Sequence, residues 1–123
     1  MRIIDIHAHL TPQCFIKSME EGRTWHGIAP GSQTISPRGA WTPEQRLADM
    51  DSLGVDVHVV STGSAFYNYN LAADVTGAMH RECNDEVHQM TVDYPDRFKG
   101  FAQIPMQDVG AAINEVGAHG GQA

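Results

Sequence analysis

The sequence predicts an α/β fold in which three parallel strands alternate with helices. The first observation is a short strand that opens the chain over residues 1–10. The second is a β-branched strand at 55–62, and the third is a long amphipathic helix that separates it from a further strand at 97–105. Because strands that alternate with helices are joined by right-handed crossovers, the three strands should run parallel in one sheet.

The opening strand alternates between apolar and polar residues. Successive side chains of a strand point to opposite faces, so each parity forms one face. The apolar parity should face the core, and its members are Ile4, Ile6, Ala8 and Leu10. The other parity carries Asp5, His7 and His9.

His7 and His9 are candidate metal ligands. Two imidazoles on one face at a strand end can bind one divalent metal, with each nitrogen roughly 2.0–2.1 Å from the ion. Two histidines near an N-terminus can also simply be solvated, but the alternation and the preceding Asp5 favour ligation. Asp5 shares their face and lies further down the strand, so we expect it to orient neighbouring groups.

Residues 11–41 are predicted to form a long loop insertion. They show little periodicity, contain five glycines or prolines in their second half, and include a possible short helix around Phe15–Glu20. A loop of this length in a compact domain is usually functional or mobile. Arg38 or Arg23 could bind a substrate carboxylate, because a guanidinium matches its geometry. A surface loop with scattered polar residues is the plainer interpretation.

A strong helix start follows the insertion. Thr42 suits the N-cap, Pro43 the first helical position, and Gln45 completes a capping box. Gly54 can end this helix in a left-handed C-cap. The side of the helix that is expected to face the core carries Leu47, Met50 and Leu53.

The strand at 55–62 contains a third histidine of interest. We expect Val55, Val57 and Val59 to face the helices, so that His58 points to the same interior as His7 and His9. A histidine in the middle of a strand is more often a hydrogen-bonded core residue than a ligand. His58 is therefore interpreted as structural.

The loop at 63–70 is rich in aromatic and amide side chains. Phe66 and Tyr67 could line a pocket for a flat or unsaturated acid, and the aromatics could equally pack on their neighbours.

The longest predicted helix runs from 71 to 94, where Pro95 stops it. His80 and His88 lie off its apolar stripe and are expected to be solvated. The stripe is a core face, formed by Val75, Met79, Cys83, Val87, Met90 and Tyr94. Asp108 is expected to cap a last helix that carries Val109, Ala112, Ile113 and Val116, and residues 117–123 should form a frayed tail.

Composition limits the function classes. The net charge is −7, from 15 acidic and 8 basic residues, and no run of Lys or Arg occurs. This argues against a nucleic-acid or anionic-membrane partner. Cys14 and Cys83 are too few for a disulfide scaffold. With no signal peptide or membrane-spanning run expected, the sequence predicts a cytoplasmic protein.

Several motifs, in the same order along the chain, resemble the amidohydrolase superfamily. They narrow the resemblance to the branch that includes aminocarboxymuconate semialdehyde decarboxylase and related non-oxidative aromatic-acid decarboxylases. The motifs are Ile4-Asp5-Ile6-His7-Ala8-His9-Leu10-Thr11-Pro12, then Arg46-Leu47-x-x-Met50-Asp51-x-x-Gly54-Val55 followed by Ser61-Thr62, then Cys83-Asn84-Asp85-Glu86, and last Tyr94-Pro95-Asp96-Arg97-Phe98-x-Gly100-Phe101-Ala102-x-Ile104-Pro105-Met106-Gln107.

The resemblance implies a distorted (β/α)8 TIM barrel that holds one divalent metal, usually zinc, at the carboxyl ends of its strands. His7 and His9 match the family's metal-binding pair on the first strand. The remaining site groups follow the fifth, sixth and eighth strands, so no catalytic residue is expected in this chain. Since such a barrel takes about 250 residues, we expect residues 1–123 to be the N-terminal part, three β/α units with the insertion at 11–41. Its open sheet edges favour a homo-oligomer, and the isolated piece should have negligible activity.

The implied reaction is decarboxylation of an aromatic or muconate-type carboxylic acid. A metal-dependent hydrolase or hydratase of the same superfamily remains an alternative, because the groups that separate these reactions lie downstream. A non-catalytic small α/β module is a second alternative. A barrel-type metal-dependent phosphoesterase is a third, although it should carry more carboxylate ligands early in the chain than Asp5.

Overall fold

The computed structural model describes residues 1–119, which form one three-stranded parallel sheet with four helices. The sheet order is β1-β2-β3, so the predicted α/β architecture of three parallel strands is confirmed. The elements are β1 Ile4–Leu10, α1 Gln13–Glu20, α2 Pro43–Leu53, β2 Val57–Thr62, a 3₁₀ turn Ser64–Phe66, α3 Ala73–Asp93, β3 Phe98–Gly100 and α4 Val109–His119.

A bulge interrupts β1. Asp5 pairs with His58 and Ala8 pairs with Val60, so two residues of β1 oppose one residue of β2. The bulge reverses the alternation of β1, and the predicted single apolar face is wrong. Ile4 and Ile6 are exposed, whereas Ala8 and Leu10 are buried.

One face of the sheet packs against α2 and α3. We call this cluster the sheet core, and its buried members are Ala8, Leu10, Met50, Val60, Val87, Met90 and Phe98. Val60 belongs to it, so the helix-facing parity of β2 is the one that also contains His58. His9 pairs with Ser61 on the opposite parity. The prediction that His58 shares an interior with the histidine pair is therefore wrong.

A second cluster, the excursion core, lies between residues 11–41 and α3. Its buried members are Phe15, Trp25, Phe66, Met79 and Cys83. The insertion is thus packed against the domain, and its helix α1 begins two residues earlier than predicted.

Two glutamates of α3, one turn apart, anchor the insertion. The Glu86 carboxylate accepts hydrogen bonds from the backbone N–H groups of Gln13 and Cys14, at 2.8 and 3.0 Å. Pro12 precedes α1 and has no side-chain oxygen, so Glu86 supplies the cap from another helix. Glu82 accepts from Trp25 Nε1 at 3.1 Å and lies 2.6 Å from His26 Nε2.

The start and end of α2 follow the prediction. Thr42 and Gln45 form the capping box, and Gly54 closes the helix with φ 71°. Of the residues expected to face the core, Met50 is buried and Leu47 is half-buried, but Leu53 is exposed. Arg46, which was not expected to face the core, is buried.

The chain after α2 departs from prediction at its last strand, at its carboxyl-terminal tail and at two histidines of α3. The strand expected at 97–105 is only three residues long, because the Asn84 side chain takes both the N–H and the C=O of Gln103. The predicted frayed tail is helical up to His119, and 120–123 lie outside the described residues.

His80, predicted to be solvated, is fully buried, because the loop at 63–70 covers that side of α3. His88 is half-buried. Within residues 1–119, every helix is too short or too polar to cross a membrane.

Candidate metal centre

His7 and His9 project from the carboxyl-terminal half of β1, and both are exposed. Their Nε2 atoms lie 2.9 Å apart. The ring centroids are 4.7 Å apart and the ring planes are nearly perpendicular, at 88°. The two nitrogens therefore converge on one point at the surface of the sheet.

This separation fits two ligands of one divalent ion. Two nitrogens at 2.0–2.1 Å from an ion, at a tetrahedral angle, lie about 3.4 Å apart. Small ring rotations would open the observed 2.9 Å to that spacing. Within residues 1–119, no group of three or more His, Cys, Asp or Glu side chains is placed to hold a metal ion. The described chain thus brings together two possible ligands, whereas a catalytic metal site normally has three protein ligands.

Two further residues hold His9. Its Nδ1 lies 3.0 Å from the Ser61 hydroxyl, which follows from the pairing of these two residues across the sheet. Arg46 Nη2 donates a long hydrogen bond of 3.4 Å to the His9 carbonyl. Arg46 is only 4% exposed, and burial lowers the pKa of its guanidinium.

Asp5 supports the bulge rather than the imidazoles directly. Its carboxylate accepts a 2.9 Å hydrogen bond from the backbone N–H of His7. The other carboxylate oxygen lies 3.6 Å from His58 Nε2. Because Asp5 pairs with His58 and His9 pairs with Ser61, the bulge places Asp5 and His9 on opposite faces. The orienting role of Asp5 stays a prediction, and its predicted face is wrong.

His58 is a buried structural histidine, as predicted. Burial lowers its pKa, and the Asp5 carboxylate partly opposes that effect. Its Nδ1 has no hydrogen-bond partner among residues 1–119. A neutral imidazole therefore suits this position better than a charged one.

The predicted substrate-contact residues fall in different environments. Arg38 pairs with Asp49 at 2.6 Å, and its guanidinium lies 5.4 Å from the centre of the Trp41 ring. Tyr67 is half-buried and stacks on Tyr69. Phe66 is buried in the excursion core, so the geometry gives it a packing role.

Ser61 and Glu86 stand in the family-like motifs, but neither of them was assigned a role from the sequence. Ser61 becomes visible only through the register of β1 against β2, which the bulge shifts by one residue. Glu86 lies 73 positions from its partner Gln13, and an acidic residue on a helix gives no sign of capping a distant one.

The chain is similar in sequence to known proteins. The sequence model of the amidohydrolase family matches residues 4–123. The chain belongs to the amidohydrolase family. A curated relative is 2-amino-3-carboxymuconate-6-semialdehyde decarboxylase of Caenorhabditis elegans, 28% identical over 131 residues, which covers 94% of this chain and 32% of the relative.

Solved structures agree on the fold. 5-Carboxyvanillate decarboxylase from Sphingomonas paucimobilis superposes with a TM-score of 0.76 and 26% identity, over 98% of this chain and 40% of that protein. A dihydroxybenzoic acid decarboxylase from Polaromonas, solved with bound manganese, superposes with a TM-score of 0.72 and 19% identity, over 99% of this chain and 36% of that protein. The three β/α units therefore form part of a TIM barrel, as predicted.

The chain spans about a third of the length of the curated decarboxylases that it matches, 32% in one case and 35% in another. The matched segment contains the opening strand and its histidines.

Proposed function

We propose that this chain is the N-terminal part of a metal-dependent, non-oxidative decarboxylase of an aromatic or muconate-type carboxylic acid. The observation that carries the proposal is the convergence of His7 and His9, whose Nε2 atoms lie 2.9 Å apart on the exposed end of β1. The similarity to a 5-carboxyvanillate decarboxylase and to a carboxymuconate semialdehyde decarboxylase supports the reaction class.

His7 and His9 would hold the metal through Nε2. Imidazole ligands suit zinc and other divalent transition metals, and the manganese found in a structural neighbour supports a divalent ion. When bound, the metal supplies a Lewis acid that holds a carboxylate or neighbouring oxygen of the substrate. The further ligands would come from later β/α units, because residues 1–119 offer no third one.

The chain's other residues would shape the site. Asp5 fixes the bulge by accepting the His7 N–H. Arg38 would contribute a guanidinium that can exchange Asp49 for a substrate carboxylate. Tyr67 would present an aromatic wall from the loop that follows β2, with Phe66 packed beneath the loop.

The reaction breaks the bond between the carboxylate carbon and its neighbour. The electron pair stays on that neighbour, and a proton takes the place of the departing carbon dioxide. The group that delivers this proton would also lie in later β/α units, so we propose that the 123-residue chain alone is inactive.

We propose a cytoplasmic homo-oligomer as the working form. Cys14 and Cys83 are both free thiols, which fits a reducing compartment. Ile3, Ile4 and Ile6 expose a run of large apolar side chains, which favours a surface that other chain segments cover.

The test measures carbon dioxide release. The 123-residue chain and the longest polypeptide encoded by its reading frame are each incubated with a panel of aromatic and muconate-type acids, with Zn²⁺ or Mn²⁺ and with a chelator. We expect metal-dependent release from the longer polypeptide, loss of release in the double variant His7→Ala, His9→Ala, and no release from the 123-residue chain.

Hydrated or hydrolysed product without carbon dioxide would overturn the decarboxylase assignment. Unchanged turnover after both histidine substitutions would overturn the assignment of His7 and His9 as metal ligands. Turnover by the verified 123-residue chain would overturn its proposed inactivity.

A further inference from the structure

We infer that Ser61 is a positioning residue that orients His9 for metal binding. This inference rests on the proposed metal centre. It adds a residue on the neighbouring strand that does not touch the metal and instead fixes the ring of one ligand.

The contact joins two elements through the sheet register. His9 and Ser61 are paired residues of β1 and β2, and His9 Nδ1 lies 3.0 Å from the Ser61 hydroxyl oxygen. Ser61 is half-buried, and its hydroxyl makes this contact at the exposed surface of the sheet. The ring is held at one nitrogen while the other, Nε2, points at His7.

The chemistry of imidazole determines which group donates the hydrogen bond in this contact. When Nε2 binds a metal, the ring proton must lie on Nδ1, which then donates to the Ser61 hydroxyl. That hydrogen bond fixes both the tautomer and the rotation of the ring. Partners of this kind generally contribute about 10- to 100-fold in metal affinity.

The bulge in β1 is what makes the contact possible. The register changes between Asp5 and Ala8, and beyond it His9 lies opposite Ser61. Arg46 binds the carbonyl of the same residue, so both the main chain and the side chain of His9 are held from neighbouring elements.

The experiment titrates Zn²⁺ into the ¹⁵N-labelled 123-residue chain, and into the longest polypeptide encoded by its reading frame, and follows the imidazole nitrogens of each histidine separately. Resolving the histidines matters because the chain contains seven. The variants are Ser61→Ala, which removes the hydroxyl, and Ser61→Thr, which keeps it. Ser64→Ala is the matched control, because Ser64 is an exposed serine three residues along the same segment.

We expect Ser61→Ala to weaken Zn²⁺ binding at His7 and His9 by about 10- to 100-fold, while Ser61→Thr and Ser64→Ala bind as the wild type does. In the zinc-bound wild type, the His9 proton should lie on Nδ1 and show a nuclear Overhauser effect to Ser61. This last measurement needs no variant, so it tests the contact even where Ser61→Ala fails to fold.

Wild-type affinity in Ser61→Ala, or a zinc-bound His9 without the Ser61 contact, would overturn the role of Ser61 and leave the metal centre standing. If the His7 and His9 nitrogens respond to Zn²⁺ neither in the 123-residue chain nor in the longest polypeptide encoded by its reading frame, the metal centre itself is overturned, and the Ser61 role with it.

Discussion

The sheet core and the excursion core share helix α3 but differ in what packs against it. The carboxyl-terminal half of α3 contributes Val87 and Met90 to the sheet core, where they meet strands and α2. The amino-terminal half contributes Met79 and Cys83 to the excursion core, where they meet aromatic rings from α1 and from loops.

The polar contacts differ in the same way. In the sheet, backbone pairing holds β1 to β2 and β2 to β3. The insertion is instead held to α3 by side chains, above all by Glu82 and Glu86. The comparison teaches that one regular helix can organise both a periodic core and an irregular one, with carboxylates replacing strand pairing in the second.

The largest expected effect comes from removing a matched phenylalanine from each core. Phe98 and Phe15 are both completely buried. Phe98→Ala should lower the free energy of unfolding by about 3–5 kcal/mol, because the sheet and the regular helices packed around Phe98 resist collapse of the cavity. Phe15→Ala should cost about 3 kcal/mol or less, because loop residues can relax into the space. Urea unfolding of the two variants measures the difference.

The exposed Phe101 provides the control, and Phe101→Ala should change stability by less than about 0.5 kcal/mol. An equal or larger loss in Phe15→Ala than in Phe98→Ala would contradict the difference between the cores.

Gly100 tests how tightly β3 packs on α3. A Cβ atom at this position would lie too close to Val87 Cγ1 for any real contact. Gly100→Ala should therefore destabilise the fold by about 1–3 kcal/mol. Adding Val87→Ala should recover part of that loss, which a double-mutant cycle by urea unfolding would show.

Gly63→Ala is the matched control, since no atom lies within 4 Å of a Cβ there. If the double variant is as unstable as the two single losses added together, the close approach is not the cause.

Glu86→Ala tests the anchoring of the insertion. It leaves the N–H groups of Gln13 and Cys14 without their cap, so we expect a loss of about 1–2 kcal/mol. Hydrogen exchange should accelerate in α1 while the amides of β2 stay protected. Glu20→Ala, at an exposed position of α1, is the control. Uniform acceleration throughout the sheet would show that the insertion does not open separately.

The smallest expected effect is the pH dependence of His80. Its Nε2–H donates to the carbonyls of Phe66 and Tyr67, and burial lowers its pKa. As the pH falls, His80 is protonated first in the unfolded chain, near pH 6.5, because its pKa is lower in the folded chain. The stability contributed by neutral His80 is therefore lost as the pH falls below that value. NMR titration of the folded chain should place the His80 pKa below 6.5, and a value at or above 6.5 would contradict the assignment.

Regular elements were predictable from local patterns. Thr42, Gln45 and Gly54 each act through backbone groups within a turn, so their spacing alone defines α2. The stripe on α3 follows from helical periodicity, and the sequence indicated its burial without indicating that it divides between two cores.

Long-range contacts were not predictable in this way. His80 lies off the stripe and would be solvated on an isolated helix, but the loop that covers it is placed by tertiary packing. The positions of His7 and His9 on β1 were predicted, whereas the partner of His9 depends on a register shift that no local pattern shows. Their role as metal ligands stays a prediction.

The bulge in β1 changes which residues of the strand face the helices. Before it, an odd-numbered residue, Asp5, faces the helices; after it, even-numbered residues, Ala8 and Leu10, do so. If the same sequence ran as a regular strand without the bulge, strict alternation would put His9 on the face of Asp5, under the helices, while every side chain of the candidate site was still encoded. The candidate site therefore depends on the backbone conformation of this short stretch as much as on the identity of its side chains.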